Sequence, residues 1–369
     1  MHPKKIAFAG PDISEREVKY VAEAARSGFY DNYDAFVRKL EKRCCEYVGV
    51  SYGIATHCCT LALHLSCVAL GLKEGDEVIC TDFSWAATAH AIAYTGALPV
   101  FVDILPETWN IDPAAIERAV TSRTKAIMVV HTFGQPADMD AIMSVAARHG
   151  LHVIEDAAPA LGAEFKGRKV GGIGHLGCFS FHGAKLAVSG EGGILLTNDR
   201  ALYERAKLMA SMGRTDSEAV FWCDELGFQY TMANITAALA LAQVERVDEL
   251  LEKKRRIFGW YTEFLSETAS IELVQEPKYG KGNFCYPSLL LKDSVSVDRN
   301  RIVSQLKALN IHCRPAFPQL SRFPFYEARF PNPVAQNIAR RGISLPSALN
   351  VEKEDIQFVA ESLLGAIRG

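Results

Sequence analysis

The chain lacks the features that would tie a protein to a membrane, to nucleic acid or to an oxidising compartment. No apolar stretch reaches membrane-spanning length without a charge, and the opening "MHPKKIAFAGPDISERE" has no sustained apolar run after its lysines. A cytoplasmic location is the expectation. Basic runs are missing too: 40 Lys and Arg stand against 43 Asp and Glu, a formal charge of −3, so the sequence does not offer the cluster of phosphate contacts that nucleic acid requires. The ten cysteines include no C-x-x-C pair; Cys44-Cys45 and Cys58-Cys59 are adjacent pairs, and reduced, mostly core cysteines with no metal site are expected. There is no internal repeat or low-complexity tract.

What is present is apolar material. With 49% hydrophobic residues over 369 positions, the chain can bury a large core, and its length suggests two domains. From about residue 50 to 200, β-branched runs alternate with helix-like spacing. Strands are predicted at Glu77–Thr81, Pro99–Ile104, Ala126–Thr132, His152–Asp156, Cys178–Phe181 and Gly193–Thr197, with helices at Thr60–Leu70, Ala86–Tyr94 and Met139–His149. That rhythm implies an α/β fold, a mainly parallel sheet covered by helices on both faces. One long helix is predicted over Ile235–Phe258. Beyond it, strands at Phe284–Leu291 and Ile311–Pro315 and helices at Arg301–Leu309 and Lys353–Ile367 suggest a smaller α+β unit. The boundary is placed near residue 250, giving a large domain over 1–250, with an N-terminal arm, and a small one over 251–369.

The stretch "CFSFHGAKLAVSGEGG", Cys178 to Gly193, sets Lys185 between a strand and a glycine cluster that a helix would not tolerate. A lysine is ordinarily a solvated surface charge, so its surroundings must decide. Asp156 closes the strand "HVIEDAA", Ser180 ends the strand before Lys185, Thr60 opens the helix "TLALHLSCVAL", and Trp85 sits in the turn after "VICTDF". Singly these are a cap, a loop hydroxyl, a helix start and a core aromatic. Together they supply what a pyridoxal phosphate pocket needs: an amine for the aldehyde, a carboxylate for the ring nitrogen, a helix N-terminus with hydroxyls for the phosphate, and an aromatic plate for the ring.

The segments "VHTFGQPADMDAI", "VIEDAAPALGAEFKGRKVGGIGHLGCFSFHGAK" and "SGEGGILLTND" closely resemble the DegT/DnrJ/EryC1/StrS family of aminotransferases, and the likeness runs from "SGFYDNYDAFVRKLE" to "RPAFPQL" and "SLPSALNVEKEDIQFVAESL". The resemblance implies an aspartate aminotransferase-like fold of type I, acting on keto sugars that are mostly nucleotide-linked. It puts Lys185 in the place of the Schiff-base lysine and Asp156 in that of the aspartate that keeps the pyridine nitrogen protonated. Trp85 takes the place of the stacking aromatic, and Thr60 and Ser180, with the N–H groups at Cys59 and Thr60, that of the phosphate site. Some relatives carry histidine where this chain has its lysine and dehydrate the sugar; Lys185 favours transamination. The segment "GFQYTMANITAALA" resembles one that reaches a neighbouring subunit's phosphate site, with Thr231 and Asn234 as candidates beside Gln229, so a homodimer with a shared site is implied. Phe29 and Tyr30, His182 and Arg314 are candidates for the substrate.

Three departures from the family pattern matter, the first being Gln229 and Thr231 in "GFQYTMANITAALA", where the family commonly carries Asn or Arg, with Asn234 slightly downstream. Where the family loop reads Ser-Gly-Thr, this chain has Cys58-Cys59-Thr60, so the turn must fit a Cβ. Three residues after Asp156, where Gln or His would donate to the cofactor's phenolic oxygen, stands Pro159, which has nothing to donate. The expected activity is transfer of an amino group, with glutamate as donor, to a keto sugar. The alternatives are a free cyclitol or eight-carbon keto acid as acceptor, or a cofactor-binding regulatory protein without turnover.

Overall fold

The computed structural model describes residues 5–215 and 222–368. Its centre is a seven-stranded sheet, in the order Tyr52–Thr56, Gly193–Thr197, Leu176–Ser180, His152–Asp156, Thr124–Val130, Glu77–Thr81, Leu98–Val102. All neighbours run parallel except Gly193–Thr197, which is antiparallel to both of its neighbours. Strands such as Glu77–Thr81 and Leu176–Ser180 are buried at every position, which explains why they read as continuous apolar runs rather than alternating ones. The helices Cys59–Ala69 and Met139–His149 belong to two separate apolar clusters, each packed with sheet residues. The predicted strands and helices of this region lie within two residues of those observed.

The long helix is not as expected. Ile235–Phe258 is not a single helix but the junction of two, Asn234–Glu245 and Val247–Leu265, interrupted at Arg246 with φ −108° and ψ 9°. The first packs against helices Glu15–Ser27 and Ala35–Val48, the second against the C-terminal helix Lys353–Arg368. Arg246 holds the break, because its guanidinium pairs with Asp12 at 2.8 Å, Glu17 at 2.9 Å and Glu249 at 2.9 Å. Apolar periodicity runs through such a corner without registering it.

The C-terminal part forms an antiparallel sheet in the order Ile271–Leu273, Ser288–Leu291, Gly342–Ser344, Arg314–Pro315. Two strands are shorter than predicted. Phe284 adopts φ +49°, and the Cys285 carbonyl accepts from the Lys254 ammonium at 3.1 Å, so pairing begins only at Ser288. The N-terminal arm runs along this part: His312 N–H donates to the Ile6 carbonyl at 3.0 Å and Ser347 N–H to that of Phe8 at 2.8 Å. All ten cysteines are free, six of them buried. Among the described residues no helix is long and apolar enough to cross a membrane.

Candidate active site

The carboxyl ends of the central strands open into a cavity of about 620 Å³. Of the residues singled out from sequence, Cys59, Thr60, Trp85, Asp156, Ser180, His182, Lys185 and Arg314 line it; Phe29, Tyr30, Thr231 and Asn234 do not.

One end of the cavity is the start of helix Cys59–Ala69. Cys58 precedes it in an extended conformation, φ −158° and ψ 164°, and gives no side-chain cap. The N–H groups of Leu61 and Ala62 return to the Cys58 carbonyl, while those of Cys59 and Thr60, first in the helix, have no acceptor within it, an arrangement that suits an anion. Neither cysteine needs a positive φ, which is why the turn tolerates them. The constraint falls instead on Gly193, where a Cβ would stand 2.5 Å from the Cys59 nitrogen. Burial pushes the Cys59 thiol well above its ordinary range and keeps it protonated. Ser180, at the end of its strand, brings a hydroxyl that accepts from His182 N–H at 3.3 Å.

Asp156 lies on the cavity floor, 4% exposed. Thr88 donates to its Oδ2 at 2.7 Å, and Thr88 in turn contacts the Ser84 hydroxyl at 2.8 Å; Ala158 N–H donates to Oδ1 at 3.2 Å. Burial nevertheless dominates and raises the carboxyl above its usual value, as expected of a buried anion still short of a positive partner. The sequence reading missed Thr88 and Ser84. Thr88 is three residues beyond Trp85, one helical turn along "WAATAHAI", and that spacing could have pointed to it.

Lys185 rides on a loop that folds back on itself. Phe181 N–H donates to the Gly192 carbonyl at 2.9 Å and Ser189 N–H to the Phe181 carbonyl at 2.7 Å, with Gly190 at φ +84° making the return. Its Nζ lies 5.5 Å from the ring centroid of Tyr286, whose hydroxyl donates to the Ala184 carbonyl at 3.2 Å. Burial pulls the lysine's pKa down, but Tyr286, Cys285 and Asp156 outweigh it and leave it above the ordinary value. Tyr286 stacks on Phe8 of the N-terminal arm at 5.0 Å, and the Arg314 guanidinium lies 4.4 Å from the Phe8 ring. Neither Tyr286 nor Phe8 was foreseen, since both come from chain segments far from the motifs.

Other candidates serve different purposes in the single chain. The Asn234 side chain is spent on the segment before helix Ala35–Val48, accepting from Phe36 N–H at 2.8 Å and donating to the Gly28 and Asn32 carbonyls at 3.2 Å each. Thr231 bridges to Thr56 and accepts from Gln229 Nε2 at 2.9 Å. Phe29 and Tyr30 are 52% and 94% exposed. Trp85 keeps 66% exposure at the cavity edge, 6.2 Å from the Phe317 ring. His182 Nε2 is 3.6 Å from Glu191, which also lines the cavity.

A buried carboxylate short of a cation, a lysine amine, an uncapped helix start flanked by hydroxyls and an aromatic plate, within one cavity, fit pyridoxal phosphate. The site is that of a pyridoxal phosphate-dependent aminotransferase. The comparisons agree: the model of the DegT/DnrJ/EryC1/StrS aminotransferase family matches residues 11–364, and the chain belongs to that family. It is 38% identical over 364 residues to GDP-perosamine synthase of Caulobacter vibrioides, covering 97% of each chain. It is 37% identical over 376 residues to a putative pyridoxal phosphate-dependent aminotransferase, EpsN, of Bacillus subtilis, covering 99% of this chain and 96% of the other. Among solved structures it is similar to DesI in the presence of its TDP-sugar product, with a TM-score of 0.91, 31% identity, and coverage of 99% and 94%.

Proposed function

We propose that the protein transfers an amino group from glutamate to the carbonyl of a nucleotide-linked keto sugar, as a cytoplasmic homodimer. The observation that carries the reading is a lysine rather than a histidine at position 185, sharing a buried cavity with Asp156. The similarity to enzymes whose names specify GDP-linked and TDP-linked sugars supports a nucleotide-linked acceptor. Exposed Phe29 and Tyr30 offer an apolar surface, and the Gln229–Thr231 segment running beside Thr56 a polar one, for a second copy to cover.

Bound here, pyridoxal phosphate supplies an electron sink and a carrier for the amino group between two half-reactions. Thr60, Ser180 and the first N–H groups of the helix would hold its phosphate, and Asp156 would hold the proton on the ring nitrogen. Lys185 would anchor the cofactor and, as a neutral amine, move a proton to and from the substrate carbon. Trp85 and Pro159 wall the cavity.

The test is a split reaction on cofactor-loaded protein. Glutamate alone is expected to bleach the visible absorption of the cofactor, and a keto sugar nucleotide to restore it. Lys185→Ala should keep the fold by circular dichroism and lose turnover entirely. A wild type indifferent to glutamate, or a turning-over Lys185→Ala, defeats the proposal; sedimentation velocity checks the dimer.

A further inference from the structure

Buried polar atoms in folded proteins almost always have partners, so one without a partner calls for a cause. Thr132 is 2% exposed, and its Oγ1 has no hydrogen-bond partner among the described residues, yet it lines the cavity. Its backbone is fixed on both sides: N–H donates to Asn110 Oδ1 at 2.8 Å, and the carbonyl accepts from Gln135 N–H at 2.9 Å. The backbone that carries the hydroxyl is therefore held in place.

The sheet order says what it faces. Val130 pairs with Asp156 and His131 N–H donates to the Asp156 carbonyl at 3.2 Å, so the turns that follow the two strands leave the sheet side by side, and Thr132, Ala158 and Pro159 all line the cavity there. Asn283 ties the two turns together, donating its N–H to the Gly134 carbonyl at 3.0 Å and its Nδ2 to the Pro159 carbonyl at 2.8 Å. The phosphate-end groups lie on the opposite side of Asp156: Ser180 ends the neighbouring strand, and Thr60 follows the strand at the far edge beyond it. In pyridoxal phosphate the ring nitrogen and the aldehyde carbon define an axis, with the phosphate arm on one flank and the 3-oxygen on the other. With Asp156 at the nitrogen, Lys185 at the aldehyde and the phosphate toward Ser180 and Thr60, the 3-oxygen must face the end of strand Thr124–Val130.

We infer that the Thr132 hydroxyl donates a hydrogen bond to the 3-oxygen of the cofactor. It supplies the donor that Pro159, having neither N–H nor polar side chain, cannot. The bond draws negative charge from that oxygen and so weakens the hold of the adjacent imine on its proton.

The experiment titrates the visible absorption of the cofactor-loaded full chain against pH. Thr132→Val should raise the midpoint by about one pH unit, a roughly tenfold change in the proton equilibrium. Thr132→Ser should titrate with wild type. A second arm measures equilibrium binding of pyridoxal phosphate and of its 3-deoxy analogue: wild type should prefer the natural cofactor by about tenfold more than Thr132→Val does, the signature of a bond between those two groups. Thr132→Ala serves in both arms if valine disturbs the turn. Superimposable titrations at equal occupancy, or equal preference in both proteins, overturn the inference. Both readouts require bound cofactor alone, so they stand whatever the amino acceptor proves to be.

Discussion

Glu155 and Asp156 are consecutive carboxylates on one strand, both buried, and alternation along the strand sends them to opposite faces of the sheet. Glu155 receives hydrogen bonds from His131 Nε2 at 2.9 Å and from the N–H groups of Gly171, Ile173 and Gly174 at 2.7, 2.7 and 2.6 Å. His131 Nδ1 accepts from Ala137 N–H at 3.1 Å, which leaves Nε2 to carry the hydrogen it donates. Burial would raise the Glu155 carboxyl, but these donors outweigh it and hold it below the ordinary range. Asp156 accepts, among the described residues, from Thr88 and Ala158 alone, and burial wins over these bonds and the more distant charges of Lys185 and His131. Sequence adjacency therefore says little about role: a carboxylate surrounded by donors ties a turn to a strand, whereas one left short of them in a cavity is set to meet a cation.

The largest effect expected from this contrast is at Asp156. Asp156→Asn removes the charge proposed to keep the ring nitrogen protonated, and loss of one partner of a buried charge pair costs several kcal/mol, on the order of a hundredfold or more in kcat. Glu155→Gln should instead retain kcat near wild type in the fraction that folds while losing about 3 kcal/mol of stability, since an amide turns an NH2 toward groups that themselves donate. Equal activity losses in the two variants would dissolve the distinction.

The two groups also oppose each other with pH. Glu155 has a folded pKa below its ordinary 4.5, so the stability it contributes is present above that value and is lost as pH falls through the folded pKa. Asp156 has a folded pKa above its ordinary 3.8, so in cofactor-free protein it imposes a penalty that sets in as pH rises through the folded value. Urea melts of cofactor-free protein at neutral pH should accordingly show Asp156→Asn more stable than wild type and Glu155→Gln less stable. The same sign for both would contradict the assignment.

A smaller effect is expected one step out from Asp156. Thr88→Val deletes the donor to Oδ2 and should cost about 1 kcal/mol, roughly fivefold in kcat/KM, with an altered pH profile that Thr88→Ser restores. An unchanged profile would make Thr88 a packing residue.

How much of this was legible in sequence follows from range. Strand His152–Asp156 and helix Met139–His149 match their predicted limits because period and caps are local: Asp138 caps the helix through Ala141 N–H, and Gly150 ends it at φ +64°. Asp156, Thr60 and Ser180 could be singled out because each falls where a strand ends or a helix begins, and Lys185 because it sits between a strand and a glycine cluster. The corner at Arg246 could not, as its cause is Asp12 and Glu17, more than 200 residues away. Nor could Thr132, which carries meaning only through an absent partner, a property of packing that no spacing encodes.

The smallest effect is expected at Pro159, beside that threonine. Its carbonyl is fixed by Asn283 at 2.8 Å and its ring lines the cavity, so it shapes the turn after the Asp156 strand whatever else it does. Pro159→Gln adds a donor on the flank where Thr132 already supplies one, and a second bond to the same oxygen adds little once the first is made. The pH midpoint of the cofactor's absorption should therefore move by less than about half a unit in this variant. In the Thr132→Val background the same glutamine is expected to bring the raised midpoint back toward wild type, because it then provides the only donor. A double variant that titrates like Thr132→Val alone, with occupancy and fold preserved, would show that position 159 does not reach the 3-oxygen and that the proline stands there for shape.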